Sequence, residues 1–477
     1  MDVYQITLAG LIVAAFELMG IAAAVHAVMQ ARTSQGAVAW AVGLVSFPFL
    51  ALPLYLIFGR SKFQGYVKAR RSGNLEIHRL VDDLEEDALR EGLISDRPHP
   101  EHEVLESLAL MRFTLQNRAE LLVDGTATFE AIFNAIDDAE DYILVQFFIV
   151  RDDDLGRELK SRLMAKAAAG VRVFFLYDEI GSHRLPNAYI NELHGAGVDI
   201  RSFHTTRGRL NRFQLNFRNH RKIVIVDGRV AFVGGLNVGD EYLGRSPKFG
   251  PWRDTHLKLT GPSVQAVQLA FLEDWYWATG ELPKLDWSLT AAEGGDQKVL
   301  VLPSGPADLL ETCGMFFVHA INSARHRLWI ASPYFVPDSH VICALQLAAM
   351  RGVDVRIVLP QKPDHLLVYL SSFSFLEEAE QAGVEIYRYQ PGFMHNKVLL
   401  VDDDLAAVGT ANLDNRSFRL NFEITIVVDD RRFAGQVEAM LTRDLAQCKP
   451  ADADELKRRP FWFRLAVRLA RLMAPIQ

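Results

Sequence analysis

Cysteine is scarce. The three thiols, Cys313, Cys343 and Cys448, lie far apart, and that number and spacing form neither a disulfide framework nor a zinc-ligand set. They read as incidental thiols of a reducing compartment. An excess of positive charge is missing as well: 51 Lys+Arg stand against 59 Asp+Glu, a formal net charge of −8. That balance argues against a nucleic-acid binder relying on a basic surface. Disorder is excluded by a hydrophobic content of 49% with 23% charged residues, which leaves ample material for buried cores. A length of 477 residues corresponds to roughly two to four domains.

Apolar residues are concentrated at the start. Residues 6–29 carry one carboxylate, Glu17, and one imidazole, His26, and residues 37–58 carry no charge. Each stretch exceeds the roughly 20 residues that cross a hydrocarbon core, so the pattern predicts a transmembrane hairpin over residues 1–60, with kinks at Pro48 and Pro53. Residues 59–71 hold Arg60, Lys62, Lys68, Arg70 and Arg71 with no acid, against Arg32 alone in the connecting loop. The positive-inside rule then puts the downstream body and both termini in the cytoplasm, making the chain a multi-pass protein. The run Asp82, Asp83, Glu85, Glu86 and Asp87 reads as a solvated helix within a linker over 61–106.

The remainder repeats itself. Tyr142–Val150 and Leu328–Val336 read as buried strands, each followed by a helical stretch and then a Gly-Val strand start at Gly170-Val171 and Gly352-Val353. This strand–helix–strand order predicts two duplicated α/β domains over 107–286 and 287–450, each with a mixed or parallel sheet. A tail over 451–477 follows, in which Arg464, Arg468 and Arg471 fall opposite Phe461, Trp462, Leu465, Leu469 and Leu472. That is the pattern of a basic amphipathic helix at an anionic lipid surface.

Each repeat carries the same polar pattern, His-x-Lys-x4-Asp: His220, Lys222 and Asp227, then His395, Lys397 and Asp402. Asn237 and Asn412 follow their histidines by the same 17 positions. One chance match is on the order of 10⁻⁴ per position at ordinary composition, so a duplicated constellation points to catalysis. Imidazole is both a good nucleophile toward phosphorus and a good proton donor. Two of them permit double displacement on a phosphodiester, one attacking and one serving as acid and then base. Lys222, Lys397, Asn237 and Asn412 would hold the non-bridging oxygens. Two lysines in one pocket would repel a metal ion, and no carboxylate sits at ligand spacing, so neither metal nor other cofactor is expected.

These residues resemble the phospholipase D superfamily and, within it, the bacterial cardiolipin synthases. The resemblance rests on Arg218–Lys222, Gly234–Tyr242, Pro251–His256, Ala331–Pro337 and Gly409–Phe418. It implies two α/β/α domains sharing one active site, with His220 forming a phosphohistidine and His395 acting as acid and base. It also implies an acidic residue that orients each imidazole, matched here by Asp254 and Glu423, and a bracing role at the strand–turn for Asp227 and Asp402. The implied reaction passes a phosphatidyl group between two phosphatidylglycerol molecules at a bacterial inner membrane, giving cardiolipin and glycerol. The partners are then phosphatidylglycerol and anionic membrane lipids, not nucleic acid, and the oligomeric state is left open. A membrane-anchored phospholipase D or nuclease-like phosphodiesterase is the alternative. Phe147, Phe148, Tyr334 and Phe335 are candidate pocket walls.

Overall fold

The computed structural model describes residues 3–30, 34–59, 74–95, 102–203, 216–452 and 454–477. The basic segment 59–71 lies outside the described residues apart from Gly59, as does Arg32.

At the N-terminus the chain forms α1 (Val3–Gln30), α2 (Ser34–Ser46) and α3 (Pro48–Phe58). Within α1, Gly10–Gln30 is long and apolar enough to cross a membrane. The second apolar stretch differs from the single kinked span expected of it. Phe47 leaves the helical region at φ −137 and ψ 59, because a following proline disfavours helical backbone and Pro48 lacks a donor for the turn before it. The chain reverses there. Phe16 of α1 stacks on Phe49 with ring centroids 4.6 Å apart. Six residues beyond Phe49, Tyr55 has returned to Trp40 (5.1 Å) and bonds His26 Nδ1 at 2.7 Å. With 13 and 11 residues, α2 and α3 are about 20 and 16 Å long at 1.5 Å per residue. Neither alone reaches across about 30 Å of hydrocarbon. Pro53 sits inside α3 without ending it. Gly20 permits the close approach of α1 to α2, since a Cβ there would strike the Leu44 carbonyl.

The expected acidic helix spans Asn74–Arg90. Beyond it, two equivalent half-sheets join edge to edge. In the first, Tyr142–Phe147, Arg172–Asp178 and Asp199–Phe203 pair in parallel. Ile223–Val226, Val230–Gly234, Thr255–Thr260 and Thr114–Val123 then extend the sheet antiparallel. The second half repeats this order with Arg327–Ala331, Asp354–Pro360 and Glu385–Tyr389 in parallel. Its antiparallel part is Val398–Val401, Leu405–Gly409, Asn421–Asp429 and Gln297–Ser304. The seam pairs Thr114–Val123 with Gln297–Ser304. Helices cover the faces as parallel strands require, and Ser263–Thr279 and Arg431–Leu445 share one core with strands of both halves.

The C-terminal helix Phe461–Leu472 buries Val467 and Ala470 against the helix Leu366–Glu380. Two of its arginines turn toward the body: Arg468 bonds Glu377 at 2.9 Å and Arg471 bonds Glu378 at 2.5 Å. Phe461, Trp462, Leu465, Leu469 and Leu472 are left exposed.

Candidate active site

Both histidines lie on short extended segments that enter an antiparallel strand, Ile223–Val226 or Val398–Val401, and each segment is clamped by the opposite half. Arg218–Asn219 pairs in parallel with Asn421–Phe422, and the His220 amide donates to the Phe422 carbonyl at 2.9 Å. Phe393–Met394 pairs in parallel with Trp252–Arg253, and the His395 amide donates to the Arg253 carbonyl at 2.8 Å. The residue after each partner segment is an acid. Glu423 therefore faces His220 Nδ1, 2.9 Å from Oε2, and Asp254 faces His395 Nδ1, 2.8 Å from Oδ2.

The acids named from sequence are thus both at the site, each against the histidine of the other half. A carboxylate at Nδ1 fixes the proton on that nitrogen and leaves the Nε2 lone pair available. Burial pushes the pKa of both imidazoles down to about 4, with Glu423 opposing it at His220, and Lys397 adding to it and Asp254 opposing it at His395. Burial by itself would raise both acids. The imidazoles and lysines outweigh it and hold Asp254 and Glu423 below the usual carboxylate range.

Lys222 Nζ donates to the His220 carbonyl at 2.6 Å, and Lys397 Nζ donates to the His395 carbonyl at 2.7 Å while lying 3.0 Å from the His395 ring at Nε2. Burial lowers their pKa to about 7 and about 8 respectively, against the pull of the two acids. Lys397 also depresses His220, and Lys222 depresses His395. The two sets therefore share one electrostatic environment. Asn237 accepts from the Ile149 amide at 3.0 Å and donates to the Tyr242 hydroxyl, whereas Asn412 donates to Asp414 and its buried Oδ1 has no hydrogen-bond partner.

Asp227 and Asp402 complete the motif that points to catalysis, yet they stand away from this pocket and take the bracing place rather than a catalytic one. The Asp227 carboxylate accepts from the amides of Glu140, Asp141 and Tyr142, each at 2.8 Å. Asp402 does the same for Arg325, His326 and Arg327. Both sit at positive φ, 52° and 49°, in the tight turn after the strand. They brace each turn against the start of the neighbouring strand.

Of the four aromatic candidates, Phe147 and Phe335 are buried in the core. Phe148 packs edge-on to the His220 ring at 5.1 Å, and Tyr334 is half-buried with its hydroxyl on Asp364. Sequence reasoning assigned no role to Thr410 and Ser417, which donate to Glu423 at 2.6 and 2.9 Å, or to Trp252, whose indole donates to Asp254 at 3.3 Å. Thr410 was within reach, since it stands at the same offset after His395 as Gly235 after His220. Among the described residues no group of three or more His, Cys, Asp or Glu side chains is placed to hold a metal ion.

Residues 132–246 and 317–445 match the family described as "Cardiolipin synthase, PLD-like domain", and residues 18–60 match "Phospholipase_D-nuclease N-terminal". The chain belongs to this cardiolipin synthase family. It is 50% identical over 481 residues to cardiolipin synthase A of Pseudomonas putida (strain GB-1), covering 100% of both chains. It is 52% identical over 478 residues to cardiolipin synthase A of Pseudomonas aeruginosa (strain LESB58), covering 98% of this chain and 96% of the other. Among solved structures, phosphatidylserine synthase of Haemophilus influenzae Rd KW20 shares the fold with a TM-score of 0.60 at 16% identity. That match covers 80% of this chain and all of the other.

Proposed function

We propose that the protein is a phosphatidyltransferase that moves a phosphatidyl group from one phosphatidylglycerol to a second, giving cardiolipin and glycerol. The observation that carries this reading is the pair of buried imidazoles, each with Nδ1 bound to a carboxylate of the opposite half and a lysine beside it. With the anionic phosphate bound, His395 takes up a proton at Nε2; His220 Nε2 then attacks phosphorus, and His395 gives that proton to the departing glycerol oxygen. The same imidazole, now neutral, takes the proton of the incoming hydroxyl as that oxygen displaces His220. Lys222, Lys397, Asn237 and Asn412 face the charge that develops on the non-bridging oxygens. An incoming anionic phosphate raises the proton affinity of all four bases, so lysines that titrate near neutrality when empty are charged when the site is filled.

Membrane association follows from the family and from α1. For the finer arrangement, we infer that the body faces the cytoplasm, because residues 59–71 hold five cations and no acid. The exposed row Phe461, Trp462, Leu465, Leu469 and Leu472 lies on the lipid surface. Purified protein in mixed micelles of phosphatidylglycerol is expected to form cardiolipin with release of glycerol. Phosphatidic acid as the main product would make it a hydrolase instead.

A further inference from the structure

Transfer and hydrolysis share the same covalent intermediate and differ in what attacks it. A transferase therefore needs a place where an alcohol binds better than water. A small open cavity lies at the C-terminal ends of the parallel strands Arg327–Ala331, Asp354–Pro360 and Glu385–Tyr389, the end of an open α/β sheet at which ligands bind. Tyr334, Asp364, His365, Tyr369, Ser372 and Arg388 line it.

Tyr334 lines this cavity, and its backbone is tied to the segment that holds Asn412. The Ser332 hydroxyl binds its carbonyl at 2.9 Å and accepts from the Leu413 amide, next to Asn412, at 3.0 Å. Burial pushes the Tyr334 phenol well up, and the charges of Asp364 and Asp414 add to this. The field of Asp364 also reaches Lys397. The Ser332 bridge thus joins the Tyr334 side of the cavity to the Asn412 side of the site.

The polar chemistry here suits a neutral polyol. The Tyr334 hydroxyl donates to Asp364 Oδ2 at 2.5 Å, and His365 Nε2 stands 3.6 Å from the same oxygen. Among the described residues, Asp364 Oδ1 has no hydrogen-bond partner, and the side chain is 16% exposed. A carboxylate facing a cavity repels a phosphate but accepts two hydroxyls, and the Tyr334 and His365 rings beside it, 6.3 Å apart, offer apolar faces to the carbons.

We propose that Tyr334 and Asp364 form the acceptor subsite, binding the vicinal diol of the incoming lipid headgroup beside the phosphohistidine. This rests on the phosphatidyl-transfer reading above. Asp364 accepts from one hydroxyl and so aims the other at phosphorus. The new O–P bond forms as the His220 Nε2–P bond breaks, and the hydroxyl proton passes to His395 Nε2.

The test compares wild type, Asp364→Asn and the isosteric Tyr334→Phe in micelles of phosphatidylglycerol, measuring cardiolipin and phosphatidic acid together. Both variants are expected to raise the ratio of phosphatidic acid to cardiolipin by about tenfold, the usual effect of removing a hydrogen bond to a charged group. They are also expected to raise the KM for phosphatidylglycerol in cardiolipin formation. An unchanged product ratio in both variants overturns the subsite. So does an equal loss of both products in a Tyr334→Phe protein with wild-type Tm. Glycerol release without cardiolipin by the wild type would overturn the transfer reading itself, before any variant is compared.

Discussion

The two halves repeat one another strand for strand, yet they hold their histidines differently. His220 leans on Glu423, which also accepts from Thr410, Ser417 and Asn421. His395 leans on Asp254, whose further donors are the Trp252 indole and the Thr255 amide. Thr410 occupies the position equivalent to Gly235. At 235 any Cβ would run into the Asp254 carboxylate, so the residue that steadies one acid must be absent beside the other. The shorter acid approaches where the backbone leaves a gap, and the longer one is caged by hydroxyls. Lys397 touches the ring of its own histidine whereas Lys222 lies 5.5 Å from the centre of the Phe148 ring. Duplication supplied the parts, and divergence of single side chains made the two imidazoles unequal. A heavily caged carboxylate suits a nucleophile that must hold one orientation. The more open partner suits a group that gives and takes a proton.

The sharpest way to break this comparison is to remove each imidazole. His220→Ala and His395→Ala should each lower kcat by roughly 10³-fold or more. With radiolabelled phosphatidylglycerol, covalent label should be trapped in the His395→Ala protein and absent from His220→Ala. Label on the latter would reverse the assignment. Next in size, Glu423→Gln and Asp254→Asn should each reduce kcat by roughly 10²-fold, because the correct tautomer is lost, and a much smaller loss for either would separate the halves further.

The lysines predict a pH signature. Their lowered pKa values mean that charge is lost as pH rises through about 7 at Lys222 and about 8 at Lys397. The histidines stay neutral down to about 4. The profile of kcat/KM, which reports free-enzyme groups, should therefore fall on the alkaline side and stay level on the acid side until well below neutrality. Lys222→Arg should move the start of that fall upward. A smaller effect is expected from Thr410→Val, about tenfold in kcat/KM through the loss of one charge-assisted hydrogen bond. Smallest for catalysis are Asp227→Asn and Asp402→Asn, which should cost about 1–3 kcal/mol of stability each with similar falls in Tm.

Much of the site was legible because its chemistry is local. His220, Lys222 and Asn237 fall within 18 consecutive residues, as do their counterparts, and the turn aspartates act on their own half. Asp254 and Glu423 could be named, but not their crossing over. The contacts span 203 residues for His220–Glu423 and 141 for His395–Asp254. They are dictated by two-residue parallel pairings too short to leave a periodic signal. The duplicated α/β plan was equally plain from alternating apolar runs. The reversal at Phe47–Pro48 was not, because hydropathy counts apolar residues and is blind to direction.

That reversal folds the second apolar stretch back on itself at Phe47–Pro48. Since α3 returns to the end of α1 from which α2 set out, Phe49 meets Phe16 and Tyr55 meets His26, so the second apolar stretch packs on α1 as two short helices.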